Sequence, residues 1–158
     1  MNAAADEEFR TALAVQQRLI DYWWDVDCNG AREAAGFYTA DCVYDMCGHR
    51  MDGPAAVQGY YDYRASRGER LVRHVLTNLR TRVHAEGSEA SVQGILTVYA
   101  ADGAPVLPAA PPILVADNHA TFVRAAGGEW RMRLHRIDAL FRGGVPLLVP
   151  PAGDALGR

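Results

Sequence analysis

A histidine and an asparagine, on one face of a strand with a leucine between them, are the first residues here with the types and spacing for chemistry. They lie in Leu71-Val72-Arg73-His74-Val75-Leu76-Thr77-Asn78-Leu79-Arg80-Thr81. Val72, Val75, Thr77, Leu79, Thr81 and Val83 are types that suit a pleated surface, so the stretch reads as a β-strand. Side chains alternate along a strand, which puts His74, Leu76 and Asn78 on one face, spanning about 13 Å at ~3.3 Å per residue. A neutral imidazole can accept a proton near pH 7, since its unperturbed pKa is about 6.5. Asn78 can hold a substrate carbonyl or pin a neighbouring strand. Beyond Asn78 the same face continues into Arg80, Arg82 and His84, which reads as solvated unless a bulge turns the strand. No residue marks that bulge.

Other candidates follow. Asp27 continues an apolar helical stripe, so its carboxylate either caps the turn into Cys28-Asn29-Gly30 or points inward. His119 shares a strand face with Val115, Asp117, Thr121 and Val123, as a second acid or as half of a polar pair with Asp117. Tyr22 and Tyr44 either donate phenolic hydrogens to an oxyanion or pack as amphipathic core residues. Trp23, Trp24, Met46, Leu76 and Phe122 are candidate apolar lining. His49 and His84 lie near turns and read as solvated. No HxxxH, HxH or Cys/His spacing is present, so no metal is expected. A nucleophile elbow, a phosphate loop and a dinucleotide fingerprint are also absent.

The elements that must position these groups follow from periodicity. Phe9, Leu13, Gln16, Ile20, Trp23 and Trp24 recur at three- and four-residue steps, predicting one long helix from Asp6 to Val26. Asp6, Glu7 and Glu8 suit its positive end, and Asn29-Gly30 ends it. Ala31 to Tyr38 reads as a short second helix. Cys42 to Cys47 reads as a strand with Cys42, Tyr44 and Met46 on one face, and Gly48 to Gly53 as a tight connection. Pro54 opens a third helix that runs to Ser66. Strands follow over about 71–84, 90–100, 113–124 and 129–141, joined at Gly87-Ser88, Asp102-Gly103 and Gly127-Gly128. Four of the eight prolines fall in Ala104 to Pro112, which predicts a long irregular loop. Val145-Pro146-Leu147-Leu148-Val149-Pro150-Pro151 is apolar but broken by proline, and suits a cover for an apolar opening or a subunit interface. Helices first and antiparallel strands after indicate an α+β fold, a curved sheet closed by three helices into a cone with an interior pocket.

A chain of 158 residues, 49% hydrophobic, fits one domain over 1–158 with its core at about 8–142. The net charge of −3, with no basic cluster interleaved with aromatics, disfavours nucleic acid. All 16 basic residues are arginine. No apolar run is long enough to span a membrane, and the first ten residues have no secretion signal. Cys28, Cys42 and Cys47, an odd count without CxxC spacing, read as reduced thiols in a cytoplasm.

Several stretches in order resemble the SnoaL-like branch of the nuclear-transport-factor-2-like superfamily. They are Phe37 to Met46, Gly53-Pro54-Ala55-Ala56-Val57, Arg73-His74-Val75-Leu76-Thr77-Asn78, and Gly128-Glu129-Trp130-Arg131-Met132 with Arg136 and Phe141 after it. The resemblance spans roughly residues 8–142. In dehydratase-like members a buried aspartate at the end of the first helix pairs with a histidine on a long strand, which by position implies Asp27 and His74. Two tyrosines and an asparagine that scytalone dehydratase also uses fall at Val26, Met46 and near His119, so the dyad is kept and much of the substrate-polarising set is not. A carboxylate on one ring nitrogen fixes the tautomer and stabilises the imidazolium as it forms. The resemblance thus implies a small cofactor-free dehydratase, isomerase or cyclase acting on an apolar, carbonyl-bearing metabolite, in polyketide or aromatic metabolism. It implies Asp27 and His74 as catalytic; the residue types and strand faces offer Tyr22, Trp23, Tyr44, Met46, Asn78, His119 and Phe122 as substrate-binding. A homodimer is expected by the same analogy. The alternatives are an accessory module comparable to the small subunit of ring-hydroxylating dioxygenases, and an epoxide hydrolase of the limonene type that would use Asp117 and an arginine.

Overall fold

A computed structural model describes residues 2–84 and 87–151. Helix α1 (Ala3–Cys28) starts at Asn2, whose side-chain oxygen accepts the backbone N–H of Ala5 at 2.8 Å. It presents Val15, Leu19, Tyr22, Trp23 and Val26 inward. Asp25 closes its end. The Asp25 carbonyl accepts the N–H groups of Asn29 and Ala31, and its buried carboxylate takes the Asn29 amide at 2.7 Å and the Glu33 N–H at 3.1 Å. The capping thus falls to Asp25, and Asp27 is free to face inward.

The expected second helix is reduced to a single 3₁₀ turn, Ala34–Phe37. Ala31 sits at φ +57°, which breaks a right-handed helix, and Tyr38 is already extended. The described residues therefore form two α-helices and not three. Strand β1 (Tyr38–Met46) turns at Cys47 and Gly48, both at positive φ, into a short strand β2 (His49–Asp52) within what reads as a mere connection. The Asp45 carboxylate accepts the Gly48 N–H at 2.8 Å and holds that turn. Helix α2 (Pro54–Ser66) begins with proline after Gly53.

Four long strands follow: β3 (Arg70–Val83), β4 (Glu89–Asp102), β5 (Leu114–Arg124) and β6 (Trp130–Arg142). The sheet order is β2-β1-β6-β5-β4-β3, antiparallel except where β1 runs parallel to β6. This is an α+β architecture with a mixed six-stranded sheet, its inner face packed on α1 and α2. Among the described residues no helix is long and apolar enough to cross a membrane.

Two departures from alternation decide which side chains face inward. In β3 the register slips by one residue between Thr77 and Arg80, with Asn78 at φ +54°. Before this bulge Val72, His74 and Leu76 point in; after it Leu79, Thr81 and Val83 do, and Arg80 and Arg82 point out to solvent. The opposing residue is Gly94, where a Cβ would lie 2.8 Å from Leu79 Cδ2 and 2.9 Å from the Thr77 carbonyl oxygen. Gly94→Ala should therefore lose roughly 1–3 kcal/mol of stability by overpacking, read as a lower urea midpoint. In β6 a slip opposite Thr121 and Phe122 brings both Met132 and His135 inward and leaves Leu134 39% exposed.

After β6 the chain returns over one end of the sheet. Gly143 donates to the Ile113 carbonyl at 2.9 Å, and Arg70 Nη1 donates to the Pro146 carbonyl at 2.9 Å. This seats Leu147 and Leu148 against an apolar cavity. The tail thus lies along the cavity, as one of its two expected placements has it.

Candidate active site

The cavity lies between α1, α2 and the inner sheet face and is narrow, with a volume of about 40 Å³. Its wall is largely aliphatic and aromatic, with His74, Trp23, Tyr44, Tyr60 and Tyr61 contributing polar atoms and Arg64 and Arg70 the charges.

At the inner wall the Asp27 carboxylate takes both hydrogens that residue 74 offers. Oδ1 is 2.6 Å from His74 Nδ1, and Oδ2 accepts the His74 backbone N–H at 2.7 Å. Both side chains are over 90% buried, at 7% and 9% exposure. Arg73 Nη1 donates to the Asp27 carbonyl at 3.1 Å and ties the helix end to the strand. The Trp23 indole stacks on the imidazole with centroids 4.2 Å apart and planes at 24°. With Nδ1–H donating to Asp27, Nε2 is the basic nitrogen, and no described residue bonds to it. Burial pushes the His74 pKa below 6.5, outweighing the Asp27 contact that pulls it up, and Arg64 adds a smaller push down. The ring is therefore neutral at pH 7. Asp27→Asn should lower the His74 pKa further, because it removes the upward influence and leaves the burial; ring-proton NMR titration reads the shift.

Two polar atoms on the cavity residues are buried without a hydrogen-bond partner: the Trp23 indole Nε1 and the Tyr44 hydroxyl. Burial raises the Tyr44 pKa well above 10, so it stays a donor. Met46 lines the cavity beside them.

The other expected site residues lie elsewhere. Tyr22 is wholly buried behind the cavity, its hydroxyl 2.5 Å from that of Tyr61. Phe122 is fully buried core and does not reach the cavity. Asn78 is exposed at the β3 bulge, which turns it out of phase with His74. His119 lies on the outer sheet face, 3.6 Å from Asp138 and not paired with Asp117, because the inward positions of β5 are Leu114, Ala116, Asn118, Ala120 and Phe122. Trp24 is 62% exposed, on the solvent side of α1.

One histidine is not singled out by pattern alone. His135 is fully buried behind Tyr44, stacked on it with centroids 4.4 Å apart. Its Nε2–H donates to Asn118 Oδ1 at 3.0 Å and its Nδ1 accepts the Tyr38 hydroxyl at 2.8 Å. Burial holds its pKa at about 3. Alternation counted back from Ile137 turns it inward, but counted on from Trp130 and Met132 it turns outward, so pattern leaves its face open.

A helix-backed cavity on a mixed sheet, with a histidine in its wall and a buried aspartate behind it, defines an α+β pocket protein. The solved structures it resembles share this fold. A candidate scytalone dehydratase from Novosphingobium aromaticivorans superposes with a TM-score of 0.77 at 18% identity, covering 96% of this chain and 99% of that one. An NTF2-like protein with a cystatin-like fold from the same organism gives 0.70 at 22% identity over 87% of each chain. ActVI-ORFA from Streptomyces coelicolor gives 0.66 at 14%, covering 80% of this chain and 95% of that one. Residues 7–136 match the SnoaL-like domain, and the chain belongs to that family. No curated protein matches it.

Proposed function

We propose that this protein is a cofactor-independent acid–base enzyme of the dehydratase, isomerase or cyclase type, acting on an apolar metabolite that bears a carbonyl. The observation that carries this reading is His74 in the cavity wall, held from behind by two hydrogen bonds to Asp27, with two unpartnered donors on neighbouring lining residues. A substrate carbonyl accepts from the Tyr44 hydroxyl and the Trp23 indole N–H. His74 Nε2 removes the proton from the adjacent carbon. Asp27 holds Nδ1–H and stabilises the imidazolium, and the stacked indole adds cation–π attraction to the charged ring. The proton then goes to a leaving hydroxyl, which departs as water, or to another carbon of the substrate. The likeness to a candidate scytalone dehydratase favours the elimination. No Asp or Glu side chain lines the cavity among the described residues, and Asp117 lies on the outer sheet face, which weighs against water activation of the epoxide-hydrolase kind.

A panel of surrogate substrates tests this. Apolar cyclic ketones and β-hydroxyketones are incubated with the protein in D₂O, and NMR follows α-proton exchange or loss of water. Exchange or elimination is expected with the wild type and not with His74→Asn. Equal rates with both proteins would refute the reading. Because the base is the neutral ring and its pKa is lowered, the acid limb of kcat/KM should have its midpoint below pH 6.5.

A further inference from the structure

Among the described residues, two arginines and no aspartate or glutamate line the cavity. Of its two arginines, Arg70 is engaged: Nε donates to Asp102 at 2.7 Å and Nη1 to the Pro146 carbonyl. Arg64, on α2, is half-buried beside the Tyr60 hydroxyl and forms no ion pair with any described carboxylate. Its guanidinium lies over the Tyr61 ring, 5.4 Å from the centroid. Among the other polar groups of the wall, Trp23 Nε1 and the Tyr44 hydroxyl are donors without partners among the described residues. A partly desolvated cation is costly unless something pairs with it.

We infer that the substrate carries a carboxylate, and that Arg64 binds it within the cavity while the apolar body lies along the aliphatic wall. This rests on the reading of the cavity as the active site. A guanidinium presents a planar fork of N–H donors that matches a carboxylate with two parallel hydrogen bonds. One guanidinium without a carboxylate partner supplies one charge, which suits a carboxylate better than a phosphate dianion. The field of Arg64 also reaches the base, since it is among the influences that lower the His74 pKa, after burial. Arg64 is thus a specificity-determining residue.

Binding can be read without turnover. The probes are 2-naphthoate and its neutral amide, 2-naphthamide, titrated calorimetrically into wild type, Arg64→Gln and His74→Asn in low-salt buffer. The wild type should bind the carboxylate about tenfold tighter, equivalent to about 1.4 kcal/mol. Arg64→Gln should abolish the preference and leave the amide affinity within about twofold. His74→Asn should keep the preference. A wild type that fails to prefer the carboxylate, or an Arg64→Gln variant that still prefers it, overturns the inference. A protein with the preference but no His74-dependent exchange keeps the inference and loses the acid–base reading, so the two fail separately.

Discussion

Replacing His74 by asparagine should cut turnover by roughly 10²–10⁴-fold while the protein stays folded. Asparagine is chosen for its geometry. Its side-chain nitrogen stands where imidazole Nδ1 stands, one bond beyond Cγ, so the hydrogen bond to Asp27 Oδ1 survives. The backbone N–H of residue 74 still reaches Oδ2. What the variant lacks is Nε2, the only basic atom of the pair that faces the cavity. His74→Ala removes Nε2 too, but leaves a buried carboxylate with one of its two partners. That loss of a hydrogen bond to a buried charged group costs about 1.5–3 kcal/mol, so the alanine variant should be both inactive and less stable. A structural His–Asp pair predicts the opposite ranking. Asparagine would then be nearly silent in every assay, and only alanine would show a defect, in stability. Turnover and the urea midpoint, measured on both variants, separate the two roles.

Local pattern makes much of this arrangement readable. The long first helix, the inward face of Cys42, Tyr44 and Met46, and the four long strands follow from periodicities of 3.6 and 2. The stripe of Phe9, Leu13, Ile20 and Trp24 that leads to Asp27 is exposed, and α1 instead buries Val15, Leu19, Tyr22, Trp23 and Val26, so the stripe marks the helix but not its inner side; His74 is readable as a strand residue. What pattern does not carry is the phase of a strand after a bulge. Alternation carried straight through β3 puts Asn78 on the His74 face and makes Arg80 and Arg82 look like wet neighbours of the site. A single left-handed residue opposite Gly94 removes both errors. The same effect hides His135, since alternation from Trp130 and Met132 turns it outward, and only the β6 slip turns it in. The second helix fails for a related reason. Ala31 adopts a positive φ because the Asp25 carbonyl accepts its N–H, a contact that helix propensity does not describe. The strand faces of His119 and Phe122 are legible from alternation, but a face does not say how far along the strand the cavity extends.

His135 should make the fold acid-sensitive well above the carboxylate range. In the unfolded chain its ring takes a proton near pH 6.5; in the folded chain it does so only near about 3, because burial excludes the charge. Between these values the unfolded state holds more protons, so stability rises with pH and is lost as pH falls below 6.5. The slope from one such ring is about 1.4 kcal/mol per pH unit, accumulating to roughly 5 kcal/mol by pH 3. Total stabilities of domains this size are commonly about 5–15 kcal/mol, so one histidine can account for acid unfolding. His74, also lowered, acts with the same sign. Most carboxylates protonate only below about pH 4.5, which leaves roughly pH 4.5–6 as a window governed by the two histidines. Urea midpoints across that window should fall steeply for the wild type. His135→Gln keeps a donor for Asn118 and loses the stack on Tyr44, so its stability at pH 7 should drop. The slope is the diagnostic quantity, and it should flatten by about 1.4 kcal/mol per pH unit in the variant. An unchanged slope would mean that the folded ring accepts a proton between Tyr38 and Asn118, and that the apolar packing around it yields to admit water.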